Sequence, residues 1–453
     1  MPTRHDLPRA VALDLLRAVA NDEAYANLTL PRLISGAGLS GRDAALATEL
    51  GYGTLRATGT LDAVLAACLD RPLAALDVDV LLLLRLGAYQ LLRTRIPDHA
   101  AVATTVELAR TEGAARASGL VNAVLRRVSD RSWDSWVDHL AAGSSDLRRV
   151  ALRTAHPEWI VTAFAAALGD DLAEPHSDTV AALDADDQRP QTHLVAWPGR
   201  VDRDTLLAEA GGQAGPYSPY AVRMSGGDPA AVASVAQRRA AVQDEGSQLC
   251  ALALADAPLQ GTDSRWLDLC AGPGGKTALL AALGSTRAAT VTANELRPHR
   301  AELVRAATAP WHVEVHVGDA RQFGGPDAAG RDGYDRVLLD APCTGLGALR
   351  RRPEARWRRT EADVPVLADL QEELLRAALA LTRPGGVVAY VTCSPHPAET
   401  VDVLARVVDP EALLDAGAVL QVPDCHVGPG GRAAQLWPHR HGTDAMFCAL
   451  IRR

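Results

Sequence analysis

"WLDLCAGPGGKT", residues 266–277, decides how the C-terminal half of the chain is read. An apolar strand runs into a turn holding Gly272, Pro273, Gly274 and Gly275, and "ALLAALG" then continues at helical spacing. Such a turn lets backbone approach a ligand closely, and the helix N-terminus behind it offers free amides. Two familiar loops come near and fail. A phosphate-binding loop needs glycine five residues before Gly275, where Cys270 stands; a dinucleotide turn counted from Gly272 needs glycine at 277, which is Thr277. Acids close the next two strands. Glu295 ends "ATVTANE", 23 positions after Gly272, where a ribose hydroxyl pair is expected, and Asp319 ends "VEVHVGD", near an adenine edge. Each acid alone also suits a helix N-cap. Together with the glycine turn they fit a nucleoside without phosphates, such as S-adenosylmethionine.

Outward from that loop, residues 241–453 alternate short apolar strands with helical stretches, ending in "YDRVLLDAP" and "GGVVAYVTCS". This pattern predicts a mainly parallel sheet, with ligands at the carboxyl ends of its strands. Residues 1–135 read as a bundle of five to seven helices, with Ser40 as an N-cap and the nearly all-apolar "DVDVLLLLRLGAYQLLRT" at its centre. Between them, 136–240 collects tryptophans, acids and Gly/Pro-rich pieces around one strand, "RPQTHLVAW", and reads as a small mixed connector.

The 453 residues exceed one ordinary core, and no apolar run reaches the roughly 18 residues of a membrane span. The N-terminus has no apolar signal region, so a cytoplasmic protein is expected. Seven scattered cysteines without a CxxC pair predict neither a disulfide framework nor a metal site. The net charge of −9 argues against a polyanion partner, but its distribution does not: 345–359 holds six arginines against Glu354 alone. Within it, Arg350, Arg351, Arg352 and Arg356 with Trp357 offer forks for phosphates and a ring for a base. Lys276 is the chain's only lysine.

"DAPC" (340–343) and "TCS" (392–394) end successive strands. A cysteine at a turn with exposed amides can be activated as a thiolate. Pyrimidines resist methylation at C5 until a nucleophile adds to C6, and an acid near N3 takes up the developing charge. Cys343 or Cys393, with Asp340 and a methyl donor, therefore points to pyrimidine C5 methylation. Spacing leaves the two cysteines equal.

"VQDEGSQL" (242–249), "DLCAGPGGKT", "DAPCTGLGALRRRPEARW" and "YVTCSPHPAET" resemble successive signatures of the RNA cytosine-5 methyltransferases. "ELGYGTLR" (49–56) and "GLVNAVLRR" (119–127) resemble the NusB-like domain fused to one branch, the bacterial 16S ribosomal RNA cytosine-5 methyltransferase B (Sun/Fmu) group. The resemblance implies three parts: an all-α NusB-like N-terminal bundle, the connector, and a C-terminal α/β Rossmann-like methyltransferase domain. It implies S-adenosylmethionine held by Cys270, Ala271, Gly272, Pro273, Gly274, Gly275, Lys276, Glu295, Asp319 and Asp340. It also assigns attack to Cys393 and release of the methylated base to Cys343, with 16S RNA, free or in an assembling subunit, as partner of a monomer. Two positions depart from the family pattern: Gly272 replaces an alanine of CAAPGGK, and Glu295 replaces a frequent aspartate. Three rivals remain: an inactive NusB-like RNA-binding or antitermination module, an enzyme for another RNA such as tRNA, and a DNA methyltransferase, in which Cys343 would attack.

Overall fold

Asp77 starts the central helix of the N-terminal half: its carboxylate accepts the Asp79 N–H at 2.9 Å. Helix Val78–Arg93 then buries Val80, Leu82, Leu83, Leu84, Leu86, Ala88 and Tyr89. Arg85, the one charge inside that apolar run, is accommodated by a two-pronged pair with Asp62 of helix Gly41–Ala67, both contacts at 2.7 Å. Ser40 does precede helix Gly41–Ala67, but its hydroxyl makes no cap hydrogen bond.

The computed structural model describes residues 6–172, 177–323 and 333–453. Two compact units result: one runs to Arg189 and includes Leu349–Arg359, and the other comprises Pro190–Ala348 and Thr360–Arg453. In the first, six α-helices between Leu7 and Val128 are followed by Trp133–Leu140, Asp146–Thr154, Glu158–Leu168 and Asp178–Asp187. Trp136, Val137 and Leu152 join the same core as Leu13 and Leu83, and the Trp136 indole donates to Val128 O at 2.9 Å. A boundary at 135/136 would cut through this core. The stretch expected as a connector is instead divided: its helices up to Asp187 lie in the first unit, and its strands, with helices Arg203–Ala210 and Ala233–Ala236, lie in the second.

The second unit opens with a small antiparallel sheet of β1 (His193–Ala196), β2 (Gln213–Ala214), β3 (Ala221–Arg223) and β4 (Ala240–Val242), ordered β2-β3-β1-β4. Asp244 caps the helix that follows, accepting the Gly246 N–H at 2.9 Å, so "VQDEGSQL" leads from this sheet into helix Glu245–Asp256. The large sheet contains β5 (Arg265–Asp268), β6 (Thr290–Glu295), β7 (Glu314–Val317), β8 (Tyr334–Asp340), β9 (Thr382–Thr392), β10 (Leu413–Leu414), β11 (His426–Val427), β12 (Ala433–Gln435) and β13 (Phe447–Arg452). Its order is β11-β12-β13-β9-β8-β5-β6-β7, with β10 beside β13.

The five strands β7-β6-β5-β8-β9 are parallel, as the helix–strand alternation predicts; β13 returns antiparallel on β9, an addition absent from that expectation. Successive residues face opposite layers. Trp266, Leu338 and Ala389 pack with helices Glu245–Asp256 and Gly275–Thr286, while Leu267, Val337, Leu339 and Tyr390 pack with helix Asp363–Leu381. Strand order reverses between β5 and β8, which opens a cleft at their carboxyl ends. Among the described residues, no helix is long and apolar enough to cross a membrane.

Candidate active site

At the end of β5, the glycine turn folds back on the ends of its neighbours. Ala271 N–H donates to Asn294 O at 2.9 Å, and the Asn294 amide donates to Leu269 O and Gly318 O, tying β5, β6 and β7 together. Gly274 sits at φ 109°, a conformation that favours glycine, and helix Gly275–Thr286 starts behind it. Glu295 reaches the turn itself: its Oε2 accepts the Gly272 N–H at 2.9 Å and its Oε1 the Arg297 N–H at 2.9 Å. Asp319 lies two residues beyond β7, and its carboxylate is engaged by Arg321, with the closest contact at 2.5 Å. That hydrogen bond holds Asp319 below the usual carboxylate range. Burial pushes the Cys270 thiol up, away from thiolate chemistry.

On the other side of the switch point, β8 and β9 deliver two thiols. The strands are parallel neighbours, with Asp340 paired to Val391, so the residues just beyond them emerge side by side. Ala341 N–H donates to Val391 O at 2.8 Å, and Gly347 N–H to Cys393 O at 2.9 Å. Cys343 Sγ and Cys393 Sγ lie 3.4 Å apart. Lys276, from the first turn of the donor-loop helix, pairs with Asp340 at 2.8 Å. Burial works to lower the Lys276 ammonium, and the Asp340 carboxylate outweighs it, so the group is held up and charged.

The surroundings of the two thiols differ in sign. A hydrogen bond from Cys343 lowers Cys393, with the Lys276 cation acting in the same direction against burial and the charges of Asp340 and Asp444. Cys343 is pushed well up by that same bond and by burial, with Glu399 and Asp340 adding to the effect. The surroundings thus favour loss of a proton from Cys393 over loss from Cys343. Glu399 is a residue that the sequence reading left without a role. It stands six positions after Cys393, within the quoted "YVTCSPHPAET", and is fully buried.

The curated and structural relatives agree with one another. The family model for 16S rRNA methyltransferase RsmB/F matches residues 254–452, and the NusB family model matches 6–130. A putative methyltransferase of Mycobacterium tuberculosis is 53% identical over 99% of this chain and 97% of its own length. A probable ribosomal RNA small subunit methyltransferase B of Bacillus subtilis is 31% identical over 98% of each chain. The chain belongs to the 16S rRNA methyltransferase RsmB/F family. Solved structures share its fold: that of PH0851 superposes with a TM-score of 0.80 over 100% of both chains at 19% identity. NSun6 from Pyrococcus horikoshii with SFG gives 0.52 over 65% of this chain and 98% of that one, at 18% identity.

The family consists of S-adenosylmethionine-dependent methyltransferases, and the residues around the loop suit that cofactor. Asn294 Oδ1 and Gln243 Oε1 are buried acceptors without a hydrogen-bond donor. The cofactor's ammonium, ribose hydroxyls and adenine amine are donors, the complement such a set lacks. A Cβ at Gly275 would come 3.9 Å from the Gln243 amide, so this side chain borders the loop.

The arginine stretch falls in the helical unit, and two of its expected RNA contacts need correction. Arg356 is fully buried; its guanidinium donates to Asp187 Oδ1 at 2.7 Å, Asp186 O at 2.9 Å and Ala155 O at 3.2 Å, leaving no exposed edge for a phosphate. Trp357 donates to Leu55 O at 2.9 Å, and its ring lies where a Cβ on Gly59 would stand, within 2.2 Å. Both are anchors of the bundle. Arg350 is buried as well, Arg352 lies over the Tyr25 ring at 4.8 Å, and Arg351 is exposed.

Proposed function

We propose that this chain methylates C5 of a cytosine in 16S ribosomal RNA, through a covalent adduct between Cys393 and C6. The observation that carries the reading is the thiol pair 3.4 Å apart with Lys276 on the side of Cys393 and Glu399 on the side of Cys343. A thiolate is the attacking form, and only one of the two sulfurs is in surroundings that favour it.

Cys393 Sγ adds to C6 of a cytosine unstacked from its RNA, which moves electron density toward C5 and N3. Asp340, oriented by its 2.8 Å pair with Lys276, meets the N3 edge as an acid, donating a proton to N3 as negative charge develops there and taking it back when the adduct collapses. The glycine turn and Glu295 would hold S-adenosylmethionine, which when bound would supply an electrophilic methyl group for C5. A base then takes the C5 proton, the C6–S bond breaks, and its electron pair returns to Cys393 as thiolate. Cys343 is assigned to this release step. Arg351 and Arg352 are the members of the arginine stretch retained for holding RNA.

Cys393→Ala should abolish both methylation and adduct. Cys343→Ala should accumulate an enzyme–RNA adduct, seen as a slow band on a denaturing gel. The reverse pattern would sink the assignment. Bisulfite sequencing of ribosomal RNA and tRNA, with and without the gene, names the substrate; a change confined to tRNA would overturn the ribosomal reading.

A further inference from the structure

Glu399 touches none of the groups that meet base or methyl donor above, yet it binds both catalytic loops. Its Oε1 accepts the Thr344 N–H at 2.8 Å and the Gln371 amide at 3.2 Å; its Oε2 accepts the hydroxyls of Thr344 at 2.5 Å and Ser394 at 2.6 Å. Thr344 follows Cys343 and Ser394 follows Cys393, so one carboxylate grips the residue after each thiol. Two further ties close the arrangement. Gln371 also donates to Pro342 O at 2.8 Å, immediately before Cys343, and Tyr390 O–H donates to the Glu399 carbonyl at 2.7 Å.

All of these partners are neutral. A buried carboxylate held by neutral donors keeps its field, and burial leaves that field poorly screened. The ionisable groups facing Cys343 are Cys393, Glu399, Asp340 and Tyr390; those facing Cys393 are Cys343, Asp340, Lys276 and Asp444. Asp340 faces both sulfurs and does not separate them. Glu399 acts on Cys343, and Lys276 acts on Cys393.

We propose that Glu399 is a positioning residue that decides which thiol attacks: it sets the approach of the two loops and holds Cys343 as the hydrogen-bond donor to Cys393. The inference rests on Cys393 being the nucleophile, and the test separates the two claims. Full-length wild type, Glu399→Gln and Glu399→Asp are treated with limiting iodoacetamide without RNA, across the alkaline range, and labelled peptides are mapped by mass spectrometry.

In the wild type, Cys393 should label first. Glu399→Gln removes the charge while keeping the side chain's shape, and should reduce the Cys393-to-Cys343 labelling ratio by about tenfold, the effect of roughly one pKa unit. The midpoint for Cys393 labelling should move to higher pH. Glu399→Asp keeps the charge with a shorter reach: the preference should survive, while methylation kcat falls with KM for RNA unchanged.

A folded Glu399→Gln with an unchanged ratio overturns the proposal, folding being read from its melting curve and S-adenosylmethionine binding. If that variant does not fold, Glu399→Asp decides: loss of the preference with the charge retained overturns the proposal, and its retention supports it. Preferential labelling of Cys343 in the wild type would instead refute the nucleophile assignment itself.

Discussion

Gly272 and Glu295 occupy one space: a Cβ on Gly272 would lie 2.3 Å from Glu295 Oε2, the oxygen that accepts the Gly272 N–H at 2.9 Å. The two departures from the family pattern are therefore one adjustment. The loop gives up a methyl group, and the acid extends by a methylene into the room so made. Gly272→Ala should weaken S-adenosylmethionine binding by about 1–3 kcal/mol through overpacking. Glu295→Asp should cost about 1 kcal/mol by withdrawing from the Gly272 N–H. The double variant should recover most of both losses, and calorimetric titration of the four proteins measures the coupling. Additive losses would show that the residues act separately.

The hydrogen bond with Cys343 lowers Cys393, so removing that partner has a definite sign. Attack rises with pH as Cys393 loses its proton and levels off above its pKa. In Cys343→Ala that rise should shift to higher pH, as it should in Lys276→Met, which removes the nearby cation. Single-turnover adduct formation followed against pH reads the shift. A move to lower pH in either variant would contradict the charge arrangement.

Asp268 is buried at the end of β5 and pushed up to about 7, chiefly by burial, with the Asp340 charge adding and the Thr277 hydroxyl at 2.7 Å opposing. Its folded pKa exceeds the ordinary aspartate value, so the folded chain holds this proton more tightly than the unfolded one does. The stability it contributes is fully present below about pH 4 and lost as pH rises through about 7. Asp268→Asn removes the titration while leaving an acceptor for Thr277. Its melting temperature should gain on the wild type across that window, by differential scanning fluorimetry. A difference independent of pH would rule this out.

The arginines of 350–359 should separate by experiment as they do by burial. Arg356→Leu leaves Asp187 without its 2.7 Å partner and should cost about 3–5 kcal/mol of stability in the helical unit. Arg351→Gln should leave the melting temperature unchanged and reduce the salt slope of RNA binding by about one phosphate contact. Filter binding at several salt concentrations distinguishes them. A loss of salt slope without a loss of stability in Arg356→Leu would return that residue to the RNA surface.

Local pattern carried much of the architecture. The strands ending at Asp268, Glu295, Asp340 and Thr392 were legible because apolar runs bounded by turns and helices have few other solutions. The helical half was legible from its periodicity. The antiparallel return of β13 was missed because "FCALI" is a short apolar run, and pairing direction is a long-range property. Tryptophans mark a change in composition near 135/136, whereas in the structure Trp136 packs into the same core as the preceding helices.

What the sequence by itself determined is the chemistry at hand: a glycine turn without a phosphate loop's pattern, acids at strand ends, and two thiols following DAP and T. It could not rank those thiols, since both sit at equivalent strand ends and spacing carries no sign of charge. Only the tertiary structure sets Lys276 from one helix beside Cys393, and Glu399 from a later turn beside Cys343. It likewise turned Arg356 and Trp357 inward, where Asp187 and Gly59 receive them. Electrostatic bias depends on distances between groups far apart in the chain, and those distances exist only once the strands are aligned.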